Sequence, residues 1–125
     1  MRNTAKRAAM AISLAAVLGG TVLLSAAVSA AEGGSDMVAM GKEVAFDRTK
    51  GNCLACHMID DGASPGDIGP PLVGMKARFP DKETLRKQIH DPEAANPNTR
   101  MPPFGKHQII SDGEIDAIVA YLYTL

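Results

Sequence analysis

The sequence predicts a small all-α domain with long loops. Apolar residues recur at intervals of three and four near both ends of segment 31–125, and this spacing places side chains on one face of a helix. Between these ends, proline, glycine and acidic residues indicate turns and extended stretches, and no segment signals strand pairing. The sequence has no Trp, three Phe and two Tyr. Because large apolar residues are scarce in so short a chain, we expect a bound group to complete the core.

An export signal is predicted over residues 1–30. A basic start precedes an apolar Ala/Val/Leu stretch, residues 8–24, and small residues up to Ala30 offer a peptidase site. We therefore expect a mature domain of residues 31–125 in the periplasm, without stable membrane association. A retained membrane anchor is the alternative, but the stretch is rich in alanine and contains two glycines, whereas a spanning helix needs about 20 strongly apolar residues.

The charge of the expected mature domain limits its partners. The three cations of the signal are lost, which leaves 13 − 3 = 10 Lys/Arg against 14 Asp/Glu and a formal charge near −4. Nucleic acid and anionic membranes are therefore not expected as partners.

Two helices are predicted between Met37 and Pro92. The first spans about Met37 to Asp47, after a loose Gly/Ser/acidic lead-in at residues 31–36. The second is capped by Asp81, buries Leu85 and Ile89 on one face, and ends before Pro92.

The last helix is the clearest element. Ser111 and Glu114 form a capping box, and an i, i+3, i+4, i+7 apolar stripe follows from Ile115 to Leu122. Before it lies a loop rich in Pro and Asn, from Glu93 to Lys106. A long loop without secondary structure in so small a domain is usually functional.

The segment from Cys53 to His57 has the attachment pattern of c-type haem. Two thiols at the spacing of Cys53 and Cys56 can add to the two vinyl groups of one haem, and the adjacent His57 then reaches the iron. Such attachment occurs outside the cytoplasm, which agrees with the predicted signal. The sequence therefore predicts one covalent haem c.

Other chemistries of the same cysteines are less well supported. A disulfide between Cys53 and Cys56 is possible in an exported chain. A redox Cys-x-x-Cys normally starts a helix after a strand, whereas here a helix precedes the pair. A structural zinc site needs about four ligands, and His90 and His107 have no motif spacing to the cysteines.

Met101 is the predicted sixth ligand of the iron. It precedes Pro102 and Pro103, which restrict the backbone and can hold a thioether in an irregular loop. His107 is the main rival, followed by an open position. Met/His ligation raises the reduction potential relative to two histidines, and filled axial positions make electron transfer the default chemistry.

Two further residues are candidates for the haem surroundings. The carbonyl of Pro70 can accept a hydrogen bond from the other ring nitrogen of His57 and fix its tautomer. Leu72 is expected to pack on the porphyrin. A plain turn at residues 69–71 is an equally good interpretation from the residues alone.

The order of these motifs resembles class I cytochrome c over nearly the whole mature chain: an N-terminal helix, the haem attachment segment, Gly69-Pro70-Pro71-Leu72, a Met-Pro loop and a final amphipathic helix. The resemblance implies that the first and last helices cross closely at Gly41, with Phe46 and Tyr121 beside the crossing. It also supports Pro70 and Met101 in the roles given above.

Three longer runs, residues 45–57, 68–74 and 96–107, are similar to the SoxX family, the small monohaem subunits of the SoxAX cytochrome complex of periplasmic sulfur oxidation. This resemblance implies a heterodimer with a SoxA-type c-type cytochrome that conjugates thiosulfate to a cysteine of the carrier SoxYZ, an L-cysteine S-thiosulfotransferase. The small subunit would pass electrons to a soluble acceptor.

The cysteine count agrees with a small subunit that transfers electrons and leaves the sulfur chemistry to its partner. Haem attachment consumes both Cys53 and Cys56, so no thiolate remains for covalent sulfur chemistry, and we predict no catalytic residue in this chain. The alternatives are a free monohaem electron carrier, which would be an isolated monomer, and a periplasmic disulfide protein without haem.

Overall fold

The structure is a computed structural model that describes residues 20–60 and 62–125. Its elements are α1 (Gly20–Phe46), α2 (Met75–Arg78), α3 (Lys82–His90) and α4 (Asp112–Leu122), with single 3-10 turns at Cys53–Ala55 and Pro92–Ala94. No strand occurs among these described residues. The predicted all-α fold with long loops is confirmed.

Helix α1 begins at Gly20, so the prediction of a loose lead-in at residues 31–36 was wrong. The chain before Met37 is rich in alanine and contains no proline, and helix extension along such a sequence is easy once a packed segment has formed. Gly33 and Gly34 lower the helix propensity by about 1 kcal/mol each relative to alanine but do not block the helix. Residues 1–19 lie outside the described residues, so the export signal and the boundary at residue 30 stay predictions.

The membrane-anchor alternative can be examined only where the chain is described. Over residues 20–60 and 62–125, no helix is both long enough and apolar enough to cross a membrane.

The crossing of α1 and α4 forms the centre of the core. A Cβ atom built on Gly41 would lie 1.9 Å from the carbonyl oxygen of Ala117, so the two helices touch through their backbones. Beside this contact, the rings of Phe46 and Tyr121 pack edge to face with centroids 6.2 Å apart. The close crossing that the family resemblance implied is confirmed. The buried side chains around it are Val44, Ala45, Ile115, Ile118, Val119 and Leu122.

Helix α3 starts and ends as predicted. The carboxylate of Asp81 accepts from the backbone N–H groups of Glu83 and Thr84, and the helix ends at His90, before Pro92. Leu85 and Ile89 are buried.

Arg86 joins α3 to α4. Its Nε donates to Asp116 and its Nη2 donates to Asp112, both at 2.7 Å. Through these two carboxylates one guanidinium ties α3 to the first turns of α4.

The capping box of α4 is present. Ser111 accepts from the N–H of Glu114 through its hydroxyl, and the Glu114 carboxylate accepts from the N–H of Ser111. The ammonium of Lys50 lies 2.6 Å from the same carboxylate. Lys50 and the two Ser111 donors lower the pKa of Glu114 from its ordinary value of 4.5 to about 2. The loop that precedes the haem attachment segment is thus fastened to the start of α4.

Candidate functional site: an apolar cavity lined by Cys53, Cys56, His57 and Met101

The loops between the helices surround a cavity of about 540 Å³. Its volume lies in the range of small-molecule and cofactor sites, roughly 300–1,000 Å³. The structure brings all the predicted site residues to its walls, namely Cys53, Cys56, His57, Pro70, Leu72 and Met101. Buried side chains of α3 and α4 complete the walls: Leu85, Ile89, Ile118 and Leu122.

A short turn places the two cysteines and His57 together. After α1 the chain reverses at Asn52, which has a left-handed backbone (φ 46°) that asparagine adopts more readily than most residues. The carbonyl of Cys53 then accepts from the N–H groups of Cys56 at 3.2 Å and His57 at 2.9 Å. This backbone holds both thiols on one turn, and both are free in the structure.

The pKa of the Cys53 thiol is raised, whereas that of a redox-active cysteine is lowered. Burial raises its pKa to about 11, so the thiol is protonated at neutral pH. Reactive Cys-x-x-Cys sites depend on a lowered thiol pKa at the start of a helix, whereas this pair forms a 3-10 turn after a helix. The geometry therefore disfavours a disulfide exchange site.

The zinc alternative finds no support in the described part of the chain. No group of three or more His, Cys, Asp or Glu side chains that could hold a metal ion occurs within residues 20–60 and 62–125.

The imidazole of His57 is fixed on two sides. Its Nδ1 lies 2.7 Å from the carbonyl oxygen of Pro70, and because a carbonyl only accepts, Nδ1 is the donor; in the neutral ring this tautomer places the lone pair on Nε2. A Cβ atom on Gly69 would lie 2.3 Å from His57 Cε1, so the chain passes directly against the ring. This is the Pro70 contact expected from the sequence, and it leaves Nε2 able to bind a metal.

The segment that carries Pro70 and Leu72 is hydrogen-bonded to the segment from Cys56 to Met58. Gly69 N–H donates to the carbonyl of Cys56 at 2.8 Å, and Leu72 N–H donates to the carbonyl of Met58 at 2.9 Å. Leu72 is buried and lines the cavity.

Met101 reaches the cavity from the loop between α3 and α4. The residue is partly buried, and its N–H donates to the hydroxyl of Thr99 at 3.1 Å. Pro103 and Phe104 behind it are buried. The rival ligand His107 is exposed and does not line this cavity. Of the two candidates, the structure places only Met101 at the cavity, although its role as ligand stays a prediction.

The meeting of three arginines at one cavity was not predicted. Arg48, Arg78 and Arg100 all line it, and Arg78 Nη1 donates to the carbonyl of Pro71 at 2.6 Å. They come from three distant segments of a chain with a net negative charge, so no local pattern indicated that they meet. A cationic wall suits the two carboxylate groups that a haem carries.

Exposed apolar side chains around the cavity were also missed. Ile68 and Ile109 line it while being 61% and 44% exposed. Met58 and Val73, 53% and 56% exposed, directly follow the wall residues His57 and Leu72. A group of exposed apolar residues is a common mark of a protein interaction surface.

A family model described as cytochrome C oxidase, cbb3-type, subunit III matches residues 30–122. The chain belongs to this family. Membership implies that this cytochrome binds haem c, and the residues fit that group. Two free thiols share one turn, the bond from His57 Nδ1 to Pro70 leaves Nε2 as the ring atom available to a metal, and a thioether and apolar walls line the same cavity.

A solved structure of SoxXA from P. pantotrophus is similar to this cytochrome, with a TM-score of 0.61 and 28% identity over 68% of this chain and 78% of that chain. An uncharacterized lipoprotein of Aquifex aeolicus (strain VF5) is 39% identical over 75 residues, which are 59% of this chain and 36% of the lipoprotein. The cytochrome thus spans about a third of the length of that relative. The family and the SoxXA similarity confirm the resemblance to a SoxX-like small cytochrome c.

Proposed function

We propose that this cytochrome is the single-haem electron-transfer subunit of an exported SoxAX-type complex. Its haem c is attached through Cys53 and Cys56, and its iron is ligated by His57 and Met101. The observation that carries this proposal is one apolar cavity lined by both thiols, the thioether and an imidazole whose Nδ1 is already bonded to Pro70.

Haem c supplies a one-electron ferric/ferrous couple when it is bound. The residues of the chain set its surroundings. The carbonyl of Pro70 accepts a hydrogen bond from Nδ1 of His57, which fixes the ring and raises the basicity of Nε2. The thioether of Met101 favours the ferrous form and so raises the potential. Leu72 and the apolar walls exclude water.

The proposed reaction of the complex is an oxidative conjugation. Thiosulfate and a cysteine thiol of a SoxYZ-type carrier form one sulfur–sulfur bond and release one proton and two electrons. This chain has only two cysteines, and both are used in haem attachment, so the catalytic cysteine belongs to the partner. Because a bound haem c would hold one electron at a time, the chain would pass the two electrons on in successive steps to a soluble acceptor.

The proposed partner is a SoxA-type cytochrome, and the similarity to the solved structure of SoxXA supports this choice. The exposed residues Met58, Ile68, Val73 and Ile109 beside the cavity provide an apolar surface for it. Covalent haem c and the lipoprotein relative support export, with residues 1–30 as the signal and 31–125 as the periplasmic domain.

Thiosulfate-dependent reduction of the haem tests the proposal. The purified mature cytochrome is followed optically alone, with a SoxA-type partner, and with the partner and its carrier protein. We expect reduction only when both are added. A competent partner and carrier that leave the haem oxidised would exclude the thiosulfate role, and an isolated monomer without affinity for the partner would indicate a free electron carrier.

A further inference from the structure

The segment between α3 and α4 that carries Met101, residues 91–106, is called here the Met101 loop. We propose that Lys106 is a positioning residue that fastens the base of this loop and so holds the Met101 thioether in the cavity. The inference rests on the proposed function, because it assumes that Met101 is an iron ligand. It assigns a role to a lysine that does not itself line the cavity.

The two ends of the Met101 loop meet beside His90. The carbonyl of His90, the last residue of α3, accepts from the N–H groups of both Gly105 and Lys106 at 3.1 Å. A Cβ atom on Gly105 would lie 2.0 Å from Cδ2 of His90, so the loop returns directly against the imidazole. The loop is therefore closed at its base by backbone contacts at one residue.

The side chain of Lys106 adds a second closure at the same place. Its ammonium lies 3.1 Å from the carboxylate of Asp91 and 3.1 Å from that of Glu93. These acids stand at the start of the loop, and Lys106 stands at its end. The ion pairs thus join the two stretches of chain that would separate if the loop swung away from the cavity.

The interior of the loop transmits this closure to Met101. Asn96 N–H donates to the carbonyl of Pro92, and Thr99 N–H donates to the carbonyl of Asn96, both at 3.0 Å. The Thr99 hydroxyl then accepts from Met101 N–H at 3.1 Å. A continuous chain of local hydrogen bonds therefore runs from the fastened start of the loop to the ligand.

The expected effect of Lys106 on the opening of the Met101 loop is moderate. The three side chains of the cluster are 46%, 27% and 45% exposed for Lys106, Asp91 and Glu93, and exposed pairs are weak and sensitive to salt. Buried Pro103 and Phe104 also anchor the loop. We therefore expect Lys106 to change how often the loop opens, by about two- to fivefold, and not to determine whether the domain folds.

The rate at which imidazole replaces Met101 on the ferric haem measures this opening. The test uses the mature holoprotein and its variants Lys106→Met and Lys106→Arg. Lys87→Met is the matched control, because Lys87 forms an exposed pair with Glu83 at 3.9 Å within α3 and the charge change is the same. The absorption band of the ferric iron–thioether bond reports that Met101 is bound before imidazole is added.

We expect Lys106→Met to exchange about two- to fivefold faster than the wild type, Lys106→Arg to restore most of the difference, and Lys87→Met to behave as the wild type. Added salt should speed exchange in the wild type and have less effect on Lys106→Met. Equal rates in wild type and Lys106→Met would overturn the role of Lys106. A wild-type protein without the thioether band would instead overturn Met101 ligation, and with it the proposed ligand set, so the two failures are distinguishable.

Discussion

Gly41 and the carbonyl oxygen of Ala117 are so close that α1 and α4 cross with no room for a side chain between them; a Cβ atom at position 41 would lie 1.9 Å from that oxygen. The obstacle is backbone, so a neighbouring side chain cannot relieve the clash by rotating. Gly41→Ala must separate the helices, and we expect a loss of about 1–3 kcal/mol in the free energy of unfolding.

Thermal unfolding of the holoprotein followed by circular dichroism measures this loss, which corresponds to a Tm lower by roughly 4–8 °C per kcal/mol for a domain of this size. Gly113→Ala is the control, because nothing lies within 4 Å of a Cβ atom there. Equal melting of wild type and Gly41→Ala would contradict the described crossing.

Gly69→Ala is expected to disturb His57, the proposed iron ligand, without breaking haem attachment. The new Cβ atom would lie 2.3 Å from His57 Cε1 and 2.6 Å from Nδ1, so the ring must move away from the Pro70 carbonyl. The absorption and electron paramagnetic resonance spectra of the ferric protein should change while the haem stays covalently bound. Gly34→Ala, with open space around position 34, should leave both spectra as in the wild type.

Met101→Ala is expected to lower the reduction potential and open the sixth position. Removal of the thioether takes away the proposed ligand, which would favour ferrous iron, and we expect imidazole then to bind without a competitor, with an apparent affinity about tenfold higher or more. Redox titration and equilibrium imidazole binding measure the two effects. Met58→Ala is the control, because Met58 is 53% exposed; a variant at position 101 with unchanged potential would show that another group ligates the iron.

Glu114→Gln is expected to destabilise the domain only where the wild-type carboxylate is charged. Lys50 and Ser111 lower the pKa of Glu114 to about 2, below its ordinary value of 4.5 in the unfolded chain. A lowered pKa stabilises the folded state fully above pH 4.5, and this contribution is lost as the pH falls towards 2. The difference in Tm between wild type and variant should be constant from about pH 7 to pH 5 and shrink below that range.

The same pH series on Asp36→Asn provides the control, since the side chain of Asp36 is exposed on α1. If the difference in Tm between wild type and Glu114→Gln stays constant down to about pH 3, the interaction that the variant loses does not depend on the charge of Glu114.

Ile68→Asp is expected to weaken binding to the proposed SoxA-type partner. Ile68 is the most exposed of the large apolar residues at the cavity, at 61%, and burying a carboxylate in an apolar interface is unfavourable. We expect the affinity to fall by about tenfold, as for a single interface residue of moderate importance. Met40→Asp makes the same change on α1 away from the cavity walls. Calorimetry of both variants with the partner distinguishes an effect of the surface beside the cavity from a general effect of an added carboxylate.

The helix caps that the sequence predicted correctly are coded by neighbouring residues, whereas the close crossing at Gly41 was implied only by the family resemblance. The Asp81 cap and the Ser111 and Glu114 capping box depend on residues two or three positions apart, and both are present. The start of α1 was missed because an alanine-rich segment contains no signal that stops a helix. The meeting of Arg48, Arg78 and Arg100 was missed for a different reason: the loops bring together positions far apart in sequence, and no local pattern records that.

The site depends both on a local motif and on contacts between residues far apart in sequence. The turn from Cys53 to His57 is local, and its spacing alone indicates its chemistry. Met101 is 44 residues beyond His57 in the numbering, and it was selected because prolines follow it and a thioether suits iron. Only the fold shows that Met101 lines the cavity and that the exposed His107 does not.

Eight residues serve at once as hydrophobic core and as cavity wall: Leu72, Met75, Leu85, Ile89, Phe104, Ile110, Ile118 and Leu122. Because the same side chains face both the helices and the cofactor, a chain that never receives haem lacks a large part of its interior. Such a chain is expected to open often and to be removed by proteases in the compartment to which it is exported. Cofactor supply would then set how much of the protein accumulates, so its abundance should follow the cell's capacity for haem maturation even when its synthesis is constant.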